Sequence, residues 1–137
     1  MRLALVTAFL ISGAISAYAG PCESNFSTSG VPMLTGISFR TWQAIPGVKP
    51  AVALDNLAKA AAAQGFHGVR VNKALGSVDA FQETSGSGRS QSLRLTARAS
   101  GKGTRVDAVF EIQQGQLADG AVVREGLCEM VSSAGGM

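Results

Sequence analysis

Histidine occurs once in this chain, at position 67, and cysteine twice, at positions 22 and 128. That scarcity removes most common catalytic layouts. A Ser-His-acid or Cys-His centre would have to use His67, and no neighbouring motif orients a nucleophile toward it. C-x-x-C and H-E-x-x-H are both absent, and one histidine does not make a usual zinc site, so no metal is expected. The carboxylates of Asp55, Asp79, Glu83, Asp107 and Glu111 stand singly, with no spacing that marks two of them as a hydrolytic pair. The reading is a non-enzymatic chain without a cofactor.

Charge is sparse as well. Charged residues make up 15% of the sequence, with 12 basic against 9 acidic side chains. No basic cluster with interleaved aromatics appears, which argues against nucleic acid as a partner. The stretch SGKGT, residues 100–104, lacks the earlier glycine of a phosphate-binding loop and joins two strand-like segments, so it reads as a hairpin turn. Beyond the first residues no apolar run reaches membrane length, and the mature chain is not expected to span a bilayer.

What is present begins with location. Met1 and Arg2 precede the apolar block LALVTAFLI, and Ala17-Tyr18-Ala19 supplies the small residues that a signal peptidase reads. Residues 1–19 are therefore expected to be a secretory signal peptide, with the mature protein periplasmic or secreted. Arg2 leaves with the leader, so 12 basic residues become 11 against 9 acidic, a balance of +2. Bacterial lipoprotein sites place a small residue before the cysteine, whereas Pro21 precedes Cys22 here. In an oxidising compartment the simplest fate of Cys22 and Cys128 is a mutual disulfide. The alternative is a buried Cys128 with an idle Cys22 near the terminus.

Patterning then divides the remainder. Residues 20–32 are rich in Ser, Thr and Gly and read as an extended segment; Asn25-Phe26-Ser27 within it matches a glycosylation sequon. A single α+β domain is expected over 33–133, with a disordered tail at 134–137. The first strand covers Met33 to Ile45, with Ile37 and Phe39 on one face and Ser38, Arg40 and Trp42 on the other. A helix follows from Pro50, with Leu54, Leu57, Ala58 and Ala61 forming one apolar stripe, and Gly65 placed to end it so that Phe66 folds back. Residues 67–72 and 77–83 read as strands, with Val69 and Val71 inward, and TSGSGR at 84–89 as a flexible connection.

Two longer alternating stretches come next, around Leu93–Ala99 and Val106–Ile112. Two registers keep their apolar faces together. One sets Arg98 opposite Arg105; the other, shifted by two, sets Arg98 opposite Asp107 and Arg94 opposite Glu111. Opposite charges across strands favour the second by a few tenths of a kcal/mol per pair, so that register is the expectation. Asp119 is placed to cap a last helix over 120–133, whose stripe is Val123, Leu127, Met130 and Val131.

The resulting order, β-α-β-β-β-β-α, predicts a two-layer α+β sandwich: an antiparallel sheet of about five strands with two helices on one face. Element order over most of the mature chain is similar to helix-grip domains, including those of accessory lipoproteins in the outer-membrane β-barrel assembly machinery. No functional residue is carried over from that resemblance.

Trp42 is the most suggestive single residue. An exposed Trp beside Arg40 is a common interface anchor, whereas a bulge near Gly36 would turn it into the core. Arg89, Arg94, Arg98 and Arg105 form either a basic stripe on the outer face or the partners of Asp107 and Glu111. The functional expectation is an envelope or periplasmic accessory domain that contacts another envelope or secreted protein. Arg40, Trp42, Arg94 and Arg98 are its candidate binding residues. The alternatives are a carrier of a small apolar ligand or lipid, and an inhibitor or immunity protein of a secreted effector.

Overall fold

Alternation in ISFRTWQAI builds the strand that anchors the sheet. In the structure, a computed structural model that describes residues 20–83 and 88–136, this strand is β2, Ile37–Ile45. The other elements are α1 (Pro21–Ser24), β1 (Ser27–Ser29), α2 (Pro50–Ala63), β3 (His67–Asn72), β4 (Ser77–Glu83), β5 (Ser90–Ser100), β6 (Gly103–Ile112) and α3 (Gly120–Ser133). The leader assigned to 1–19 and most of the connection 84–89 lie outside the described residues.

The architecture is α+β. Among the described residues all strands form one antiparallel sheet of six in the order β1-β2-β6-β5-β4-β3. Helix α2 carries the chain from β2 to the far edge strand β3, packing beneath β3, β4 and β5; α3 then lies beside α2, beneath β2 and β6. Both helices cover the same face, as their single apolar stripes require. Leu54, Leu57 and Ala61 of α2 and Leu127, Met130 and Val131 of α3 are buried against Phe39, Leu93, Leu95, Val106 and Phe110 of the sheet. Each fully buried side chain of this size contributes about 1.5–3 kcal/mol by leaving water.

Local chemistry sets the helix ends. Pro50 occupies the first turn of α2, where its missing N–H leaves no bond unmade. At the other end Gly65 adopts φ 87°, and the Phe66 amide donates back to the Ala61 carbonyl at 3.1 Å. Phe66 thereby folds under the helix and meets the Phe110 ring edge-on, with centroids 6.0 Å apart. Asp119 caps α3: its Oδ1 accepts from the amides of Ala121 at 2.9 Å and Val122 at 3.2 Å.

Four features besides the β5–β6 register differ from the sequence expectation. The sheet has six strands rather than about five, because the Ser/Thr-rich lead-in is not merely extended. It forms the helical turn α1 and the short edge strand β1, which pairs Ser27 with Arg40 and Ser29 with Ser38. The first long strand starts at Ile37, since Val31–Thr35 close a hydrogen-bonded turn instead. The end of the chain is partly held, with Ala134 buried and its carbonyl accepting from Asn56 Nδ2 at 3.1 Å. Edge strand β3 is irregular between His67 and Arg70, so Val69 is only half-buried and Val71 is exposed.

The correction with most bearing on function is the β5–β6 register. Arg98 pairs with Arg105, and Arg94 with Val109, not with Asp107 and Glu111. Turn geometry decides it. Ser100 pairs with Gly103 across the two-residue loop Gly101-Lys102, and Gly101 has φ 56°. Two-residue hairpins need positive φ at the first loop position, where glycine is at ease. The charge-favoured register would put Lys102 there, at about 1–2 kcal/mol for left-handed backbone on an L-residue. That outweighs a few tenths of a kcal/mol per cross-strand ion pair. Gly103 is constrained from the other side as well: a Cβ on it would lie 2.2 Å from the Ile45 carbonyl oxygen.

Candidate functional site

Helices cover one face of the sheet, and the opposite face is where the candidate residues gather. Register along β2 and β6 is unbroken from Ile37–Ile112 to Ile45–Thr104, so no bulge turns Trp42 inward. Its side chain stands on the outer face with 38% of its surface exposed, while Phe39 and Thr41 beside it are buried. Arg40 shares that face, opposite Val109 of β6. Arg94 and Arg98 follow on β5, two strands from β2.

Several contacts hold the indole in place. The Arg105 guanidinium lies over the Trp42 ring, 4.2 Å from its centroid. Asp107 grips that guanidinium with both oxygens, accepting from Arg105 Nε at 3.2 Å and Nη2 at 3.0 Å. Behind the strand, Asn25 Nδ2 donates to the Trp42 carbonyl at 3.0 Å. Asn25 is the residue of the sequon, so the nitrogen that a glycan would occupy is engaged here.

Asn25 is itself anchored by the staple. Cys22 of α1 and Cys128 of α3 form a disulfide with Cα atoms 5.6 Å apart, and both cysteines are buried. The Thr41 hydroxyl donates to the Cys22 carbonyl, and Phe26 stacks on Phe39 with centroids 6.2 Å apart. The covalent bond therefore fixes the segment that lies along β2 beside Trp42.

Elsewhere on the face the arginines interleave with carboxylates: Arg98 still meets Asp107, but diagonally, and Arg94 takes Asp79 in place of Glu111. Arg94 Nε donates to Asp79 Oδ1 at 2.7 Å, across the β4–β5 pair. This bond and the Asp79 charge raise the Arg94 pKa further above its ordinary value. Arg98 reaches Asp107 diagonally, Nη2 to Oδ2 at 3.8 Å. One carboxylate thus bridges both arginines that the register sets opposite each other, easing their repulsion while one positive charge of the pair remains. Arg89 precedes β5 and donates to the Gln114 carbonyl, away from the others.

No protein-family model and no curated protein matches this chain.

Sequence reasoning named Arg40, Trp42, Arg94 and Arg98 as binding residues and counted Arg105 in a possible basic stripe on the outer face, but gave it no contact with Trp42. The missing signal was three-dimensional: Arg105 and Trp42 meet only because β2 pairs with β6, and no local pattern reports which strands are neighbours. His67 begins β3, exposed, with its ring centroid 6.3 Å from that of Phe81. Between the helices and the sheet, Phe66, Phe110, Val123, Leu127 and Met130 line a crevice of about 210 Å³. Depressions of about 480 Å³ between α2 and β5 and about 440 Å³ between α2 and α3 lie within the range of small-molecule pockets, which begins at about 300 Å³.

Proposed function

We propose that this chain is an exported, non-enzymatic domain that works in the periplasm or outside the cell by binding another envelope or secreted protein. The outer sheet face, centred on Trp42, is the docking surface. One observation carries the reading: a half-exposed Trp stands on the helix-free face and is locked before any partner arrives, by Arg105 over its ring and Asn25 on its carbonyl. Interface hot spots are enriched in Trp and Arg, and an anchor already ordered loses less entropy on binding. Arg40, Arg94 and Arg98 surround it with polar groups suited to a rim.

The disulfide supports export, because such bonds persist in oxidising compartments and are rare in the cytosol. An inhibitor or immunity protein for a secreted effector would use the same face and is a special case of this reading. A carrier of a small apolar ligand would instead use the depression between α2 and β5, about 480 Å³ and bordered by Leu54, Leu75 and Ala97.

Trp42→Ala is the direct test. The variant should recover less of its partner from an envelope extract while melting within about 2 °C of the wild type, as expected for a change of less than about 1 kcal/mol. Unchanged recovery with a large thermal loss would make Trp42 a structural residue and remove the site.

A further inference from the structure

Beside Trp42 the outer face carries a cation that forms no ion pair with a carboxylate among the described residues. Arg94 is matched by Asp79, and Arg98 and Arg105 share Asp107. Arg40 has no ion-pair partner among the described residues; its contact is with a hydroxyl, Nε donating to Ser38 Oγ at 3.1 Å. That bond uses the side of the guanidinium and leaves both terminal nitrogens free among the described contacts. Those two nitrogens are a pair of donors that a carboxylate can accept in parallel.

The surroundings suit such a ligand. Arg40 and Val109 border two adjoining depressions of the face. On one side lie Trp42, Arg105 and Asp107, the last two paired; on the other lie Arg94, its partner Asp79, and Glu111. A segment crossing Val109 would therefore meet an aromatic ring and a guanidinium two residues, about 7 Å, apart along the same strand.

Resting on the reading of this face as a docking surface, the geometry points to a partner segment that presents a carboxylate to Arg40 and an adjacent aromatic or aliphatic side chain to Trp42. Charge complementarity selects that occupant over a basic or purely apolar one. Glu111 borders the same depression as Arg40 and competes with the incoming acid.

A random peptide library displayed on phage, selected against the purified chain with its disulfide intact, tests this. Recovered peptides should carry Asp or Glu at a fixed short spacing from an aromatic or aliphatic residue. A synthetic peptide from that set should lose about tenfold in affinity when its acid becomes the amide, as for a hydrogen-bonded charge pair. Arg40→Lys should lose a similar factor, because lysine keeps the charge and lacks the paired donors. Glu111→Gln should tighten binding, and Arg70→Gln at the far edge of the sheet should leave it unchanged. Peptides that depend on Trp42 but ignore both Arg40→Lys and the amide exchange would overturn the role of Arg40 while leaving the docking face standing. A set in which no peptide depends on Trp42 or Arg40 would overturn the docking face too.

Discussion

Trp42, Arg105 and Asp107 act as a unit at the scale of single residues. Asp107 fixes the guanidinium and the guanidinium fixes the ring, so the indole is ordered by electrostatics on a surface where packing is thin. A cation over an aromatic face at a partly exposed site is worth about 0.5–1 kcal/mol. Arg105→Ala should therefore leave the fold intact, and its effect should appear in the motion of the ring. The chain contains one Trp, so intrinsic fluorescence reports this site alone. Steady-state anisotropy should fall and the emission should move to longer wavelength in Arg105→Ala. An unchanged spectrum and anisotropy would mean that Arg105 does not hold the ring. Little of this trio was legible beforehand. Parity along β2 put Trp42 outward, but its partner lies on a strand more than 60 positions away.

Hairpin β5–β6 shows what decides register at the scale of elements. Charge patterning and turn chemistry pointed to different alignments, and the turn prevailed because backbone strain in one residue exceeds several exposed ion pairs in energy. Gly101 and Gly103 contribute separately. Gly101→Val should lower stability by at least about 1 kcal/mol through its left-handed backbone. Gly103→Ala should cost more, since the added methyl would meet the Ile45 carbonyl at 2.2 Å and push β2 from β6. Urea unfolding gives both values. A Gly103→Ala midpoint equal to wild type would show that the β2–β6 contact yields freely. Helix limits, by contrast, were readable from Pro50, Gly65 and Asp119, because caps and stops act on the backbone within a few residues.

The whole molecule is held by a core between sheet and helices and by one covalent tie across 106 positions of sequence. Closing a loop of that length restrains the unfolded chain by about 4–5 kcal/mol in the entropy model. The paired substitution Cys22→Ser with Cys128→Ser should therefore lower the melting temperature by well over 10 °C for a domain of this size. The loss should also release the Asn25 bond to β2, making the amides of residues 22–29 exchange faster than those of β5. Uniform loss of protection throughout the chain would instead mean that α1 and β1 have no separate dependence on the staple. The tie also explains why the lead-in joins the domain: Cys22 and Phe26 are drawn into the core, and the intervening backbone has to follow.

The sequence by itself determined the two long helices, the parities of the long strands β2, β5 and β6, the two-layer arrangement and the pairing of two cysteines. Those properties follow from local periodicity, from capping chemistry, and from there being a single way to pair two thiols. Tertiary structure alone decided the sixth strand, the β5–β6 alignment and the contact that seats Arg105 on Trp42. Each of these depends on which distant backbones become neighbours, and a spacing of 2 or 3.6 residues along a chain carries no information about that.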